Sequence, residues 1–269
     1  QHYDFPFGFS PLEFYYDLAT FRGSAGRTRL EVYYGLLTGL LETGKMKDGR
    51  TIHAVERTLT LKGGGAEGFR KNDVGAYEAT EGSPSRTLLE VATLEVPPGD
   101  YRLNVEALDR ASGKWGIYSQ DVSIPEIPDT LSMSDLHLAW SVSPTKTDDR
   151  FRKHIDGLDP ETDVWVIPLP SRSFRKGNPF NLYYEIYNLA LNEFGQTSYE
   201  VRYTVDQQIR KGEGVFGALG SIFKRAMTDR EPQVSIGYEA TGDSVDEPVY
   251  LEIETKEMKP GYNRLTVLV

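Results

Sequence analysis

Leu89–Val105 reads LEVATLEVPPGDYRLNV, and Leu251–Val267 reads LEIETKEMKPGYNRLTV. Set side by side without a gap, nine of the seventeen positions are identical: L, E, T, E, P, G, R, L and V. Apolar and polar residues alternate on either side of the centre, the period of half-buried strands. Pro98-Gly99 and Pro260-Gly261 supply the fixed φ and the permissive φ of a tight turn. A turn alone would not reproduce the flanking Leu-Glu and Arg-Leu pairs, so the two stretches predict an internal duplication built on a strand–turn–strand unit.

Working outward, the pattern continues through the chain. Phe14–Phe21, Thr28–Leu36, Ile52–Leu61, Thr87–Val96, Asp100–Leu108 and Gly116–Ile124 are rich in Tyr, Val, Leu and Thr and bounded by turn residues. Pro125–Asp129 (PEIPD) reads as a linker, because its prolines remove backbone donors. Strand signals resume at Leu136–Val142, Val164–Leu169, Phe180–Leu189, Ser198–Val205, Gln233–Tyr238, Val249–Glu254 and Asn263–Val269. Arg29–Tyr33 (RLEVY) aligns loosely with Tyr183–Tyr187 (YYEIY). No long 3.6-period segment separates the strands, which argues against βαβ units. The predicted fold is all-β, with two tandem immunoglobulin-like or fibronectin-like β-sandwich domains. Residues 1–13 form an N-terminal extension, 14–125 the first sandwich and 130–269 the second. An amphipathic insertion at 213–229 interrupts the second. There Val215, Phe216, Leu219, Ile222 and Phe223 recur at helical spacing, the mark of a short helix or ordered loop that closes one end of the sandwich or docks on a partner or membrane surface.

Composition narrows the function. A net charge of −10 and a pI near 5.0 repel a polyanion, so nucleic acid is not an expected partner. The absence of cysteine excludes disulfides, zinc–thiolate sites and thiol catalysis. No run approaches the roughly 18 apolar residues of a membrane span. The sequence given opens with Gln1 and has no Asn-x-Ser/Thr sequon; a removed signal peptide and a secreted or envelope location in a bacterium are the expectation.

Motifs for chemistry are weak. Gly63–Gly68 (GGGAEG) fits a dinucleotide pattern but no amphipathic helix follows it. Gly39–Lys45 (GLLETGK) puts Met46 where a phosphate loop needs Ser or Thr. His2, His53, His137 and His154 are far apart, and no G-x-S-x-G elbow occurs. No cofactor and no enzymatic activity are expected. Asp156, Asp159, Glu161 and Asp163 (within DGLDPETD) concentrate carboxylates that could take calcium, although a solvated loop explains them as well. Aromatic residues make up 12% of the chain, including Trp115, Trp140 and Trp165; they serve as core, or as stacking platforms of a carbohydrate-binding module.

Three segments, Pro179–Val205, Phe14–Leu36 and Pro97–Gly116, resemble the β-rich C-terminal region of secreted bacterial proteins named for a GWxTD motif. The motif itself is absent, since Lys114-Trp115-Gly116 does not supply it. The resemblance implies an exported protein and carries no catalytic residues.

Duplication adds one expectation. In the first half the Pro-Gly hairpin is followed by a further strand, Gly116–Ile124, while the given sequence stops at Val269, the end of the second hairpin. The second sandwich should then have room for a strand. Tyr3, Phe5, Phe7 and Phe9 alternate in QHYDFPFGFSPLE as a donated strand requires. The leading expectation is a non-catalytic structural or interaction protein that self-assembles head to tail by strand donation into a filament; the alternative is a polysaccharide-binding module.

Overall fold

The computed structural model describes residues 11–63, 66–79, 82, 84–208 and 234–269. The first half contains β1 (Tyr15–Arg22), β2 (Thr28–Leu37), β3 (Gly44–Lys45), β4 (Thr51–Gly63), β5 (Ala66–Glu78), β6 (Thr87–Val96), β7 (Gly99–Asp109) and β8 (Trp115–Ile124). The second contains β9 (Ser132–Met133), β10 (His137–Ser143), β11 (Arg152–Lys153), β12 (Val164–Pro168), β13 (Phe180–Tyr187), β14 (Thr197–Gln208), β15 (Val234–Gly242), β16 (Glu247–Ile253) and β17 (Tyr262–Leu268). The fold is all-β, and every pair of these strands is antiparallel.

One order of pairing occurs twice. β2 lies between β1 and β6 as β13 lies between β10 and β16, and β4 lies between β5 and β7 as β14 lies between β15 and β17. Side chains then decide the stacking. Leu30, Val32 and Tyr34 of β2 meet Leu59, Leu61 and Leu103 of β4 and β7 in one core. Leu182, Tyr184 and Ile186 of β13 meet Val201, Tyr203 and Val267 in another. The opposite faces of β1 and β2 press Ala19, Phe21 and Tyr33 onto Val164, Val166 and Tyr183 of β12 and β13. Four sheets therefore stack in four layers, and β2 and β13 are buried on both faces. TRLEVYYGLL and FNLYYEIY suit this position because large side chains occupy both parities, as in strands covered on each side. Each such side chain taken from water contributes about 1.5–3 kcal/mol.

Three features depart from the sequence reading. The chain after GGGAEG is a strand, β5, paired with β4 from Ile52↔Glu78 to Gly63↔Ala66. Its alternation is hidden because β5 is an edge whose Arg70, Asn72 and Asp73 face solvent, and charge on an edge discourages unwanted pairing. Leu12, which the sequence reading put in the extension 1–13, is buried in the first core. The ungapped match of Leu89–Val105 with Leu251–Val267 holds only downstream. β7 and β17 correspond, with Leu103 opposite Leu61 and Leu265 opposite Val205. Upstream, Leu88, Leu94 and Val96 face the first core, so Leu89 faces away, whereas Leu251 and Ile253 face the second. A slip of one residue inverts the face. Pro97-Pro98 alone joins β6 to β7, while a longer loop runs from Ile253 to Tyr262 and absorbs the shift.

Candidate functional site: an open sheet edge above an apolar groove

The two halves of the chain end differently. In the first, β8 covers the outer edge of β7 from Gly99↔Ile124 to Leu108↔Trp115. Tyr118 of β8 packs edge-on to Phe14, ring centroids 4.8 Å apart, and its hydroxyl donates to the Phe14 carbonyl at 2.9 Å. The amide of Leu12 donates to the Trp115 carbonyl at 3.0 Å. A Cβ on Gly116 would stand 2.1 Å from the Leu12 oxygen, so only glycine admits this backbone approach. This end is closed.

In the second, β17 pairs with β14 from Arg202↔Leu268 to Gln208↔Tyr262. Among the described residues no strand lies along its other edge. Leu103 and Val105 are fully buried on β7; their counterparts on β17 are a half-buried Leu265 and a Val267 at the margin of the core. Leu268 is 58% exposed. Between β10 and β17 runs a groove of about 780 Å³, floored by Leu138, Phe180, Val205, Met258 and Leu265, with Phe174 on one side. Ser171 and Arg172, in the loop after β12, line this groove and also a smaller hollow of about 470 Å³ beside Phe14 and Tyr118. One loop thus separates the closed end from the open one. An unpaired sheet edge beside an apolar floor can accept an extended chain, with main-chain bonds giving affinity and the floor selecting alternate side chains.

One cluster of titratable groups with displaced pKa values lies elsewhere, between the two middle layers. Tyr33 donates to Glu31 at 2.7 Å, and Tyr187 donates to Glu185 at 2.6 Å, the same contact in both halves. Arg29 sits 3.3 Å from Glu31 and 3.1 Å from Glu185. Lys153 pairs with Glu31 and donates to the Tyr33 hydroxyl at 3.0 Å. Burial works against a charged Glu31, but Lys153 and Arg29 together hold its carboxyl below the ordinary range. At Glu185 burial prevails over Arg29 and raises the pKa. Burial lowers Lys153, and it drives His137 well down, with Lys153 and Arg172 adding to the effect. His137 stacks on Tyr33 at 4.0 Å, 1% exposed, with no hydrogen-bond partner for either ring nitrogen among the described residues. Displaced pKa values mark functional sites when the groups face a cleft. These are sealed between sheets and tie the layers together. The sequence signal for them was the Glu-x-Tyr shared by RLEVY and YYEIY, an acid inside apolar strands.

The remaining candidates are scattered. Asp159 accepts from the Glu161 amide at 2.9 Å and caps a short 3₁₀ turn. Asp163 is buried between Arg152 and His154, while Asp156 and Glu161 face solvent. Among the described residues no three acidic or histidine side chains converge as metal ligands, and a buried carboxylate already engaged by Arg152 and His154 is a poor start for a calcium site. Tyr3, Phe5, Phe7 and Phe9, like Val215, Phe216, Leu219, Ile222 and Phe223, lie outside the described residues. Trp115 and Trp165 are half-buried; Trp140 is 45% exposed. Comparison with protein-family models and with curated proteins gives no match.

Proposed function

We propose that the chain is a non-catalytic structural or interaction protein that works by strand addition, the open edge of β17 taking an extended segment from a second copy. The observation that carries this is the contrast between β7, covered by β8, and β17, whose edge is uncovered along Leu265–Leu268 among the described residues. Open edges are templates for pairing, and a half-exposed Leu265 gains by being covered. The proposed donor is the segment carrying Tyr3, Phe5, Phe7 and Phe9, which alternate in the sequence as one face of an added strand requires. Donation from copy to copy is head-to-tail and does not close, so it builds a filament. A location on the bacterial exterior rests on the resemblance to exported proteins. Among the described residues no helix is long and apolar enough to cross a membrane.

Sedimentation across a concentration series, with electron microscopy, tests this. Oligomers should grow with concentration and vanish when residues 1–10 are deleted, a truncation that spares Leu12. A chain that stays monomeric at every concentration sinks the idea.

A carbohydrate-binding role has one observation in its favour: Trp140 lines a hollow of about 380 Å³ with Phe174, Arg175 and Asn178, a ring beside polar groups. Retention on a polysaccharide column that is lost in W140A is the result it requires.

A further inference from the structure

We infer that the hollow beside Trp140 takes a sugar that carries a carboxylate, the pyranose lying on the indole and the acid group meeting Arg175. This rests on the carbohydrate reading and adds to it the class of saccharide. The walls here are unlike the rest of the surface. The protein has 40 acidic residues and a net charge of −10. Yet among the described residues that line this hollow and the adjoining groove none is acidic, while Arg172, Arg175, Lys176 and Lys259 are basic. Three of these four come from one loop, SRSFRKGN at 171–178, between β12 and β13. Arg172 is held on Asp17 of β1. Arg175 and Lys176 are exposed and meet no carboxylate among the described residues.

The loop is fixed from below. Arg172 takes a positive φ of 49°, uncommon for a residue with a side chain, and its amide donates to the Leu169 carbonyl at 3.0 Å. The fully buried Thr255 hydroxyl accepts from the Gly177 amide at 2.8 Å and donates to the Asn178 carbonyl at 2.9 Å. The Asn178 amide donates to the Arg175 carbonyl at 3.0 Å. Phe174 stacks on Phe180, ring centroids 4.5 Å apart. A loop held in this way gives up little freedom on binding. Across the hollow, the exposed Trp140 of β10 offers a ring whose negative face suits the C–H bonds of a pyranose. Arg175 brings a planar fork that matches a carboxylate, and the Asn178 amide both donates to and accepts from sugar hydroxyls. The acidic balance of the whole chain does not oppose this. At physiological ionic strength exposed charges beyond about 8 Å are largely screened, and the walls of this hollow carry one sign. A neutral sugar would leave both exposed cations unused.

Affinity electrophoresis of the full chain in gels containing polygalacturonate or its methyl ester tests this, because the two polymers share a ring and differ in charge. The expected result is retardation by polygalacturonate that esterification reduces several-fold and W140A abolishes. R175Q should weaken it by up to about fivefold, the scale of an exposed ion pair. K47Q, which removes a charge from an exposed turn of the first half, should leave it unchanged. R175Q alters only an exposed side chain, so it keeps the test open if W140A fails to fold. Equal retardation by the two polymers, lost in W140A, overturns the acidic class and leaves the carbohydrate reading standing. Retardation by polygalacturonate that W140A or R175Q leaves intact, or that K47Q weakens as much as R175Q, overturns the site. No retardation by either polymer overturns the inference, while the carbohydrate reading then stands or falls on the polysaccharide column.

Discussion

β7 and β17 hold the same place in two sheets of the same order and share an Arg-Leu pair, yet among the described residues one is an inner strand and the other an edge. Leu103 is sealed by its neighbours; Leu265, on the equivalent strand, is not. A residue's burial is thus a property of the strand next door as much as of its own alternation. The middle layers show a second contrast. Glu31 and Glu185 make matching tyrosine contacts, but Lys153, on β11, forms its direct ion pair with Glu31 and acts on Glu185 only at longer range. Equivalent carboxyls accordingly shift in opposite directions.

The largest expected effect tests that second contrast. Lys153→Met leaves Glu31 buried without its main counter-ion and should destabilise by about 3–5 kcal/mol in urea denaturation at neutral pH. E31Q should cost more than E185Q, whose neutral form burial already favours; the reverse order would break the comparison. Next comes the pair of leucines. L103A should lose about 2–5 kcal/mol and L265A less than half as much in the monomer, with equal losses showing that the groove is already filled.

Acid should act next. The His137 pKa lies well below its ordinary 6.5, so the unfolded chain binds a proton the folded one refuses, and stability falls as pH drops below about 6.5. Glu31, held below 4.5, adds a further loss as pH falls through its lowered value, while Glu185, held above 4.5, gives back some stability on acidification. Melting curves between about pH 7 and pH 5 should show a drop in Tm that H137F, which keeps the stack on Tyr33, reduces; an unchanged drop would remove His137 from the account. The smallest effect belongs to R102A, whose pair with Asp121 is exposed on both sides. It should cost about 0–1 kcal/mol, in keeping with a contact that sets register.

Much of this fold was legible because strands with one covered face advertise it: Thr87–Val96 was placed to the residue, and most others within two. β5 escaped because an exposed edge carries no apolar alternation. The phase of β16 escaped because nine identities invite an ungapped match, while the face of Leu251 depends on a loop whose length compensates elsewhere. That β17 has no partner on its far side among the described residues fits the repeated order of strands. The seam was not legible, since Glu31, Glu185, Lys153 and His137 are distant in sequence and meet only when two sheets are laid face to face.

The shared middle layer has a consequence for how the protein comes apart. Phe21 and Tyr33 from one half and Tyr183 from the other are covered by each other, so opening either sandwich exposes apolar surface of its neighbour. Unfolding should then be cooperative across the chain, with one calorimetric transition and with the amides of β2 and β13 exchanging last.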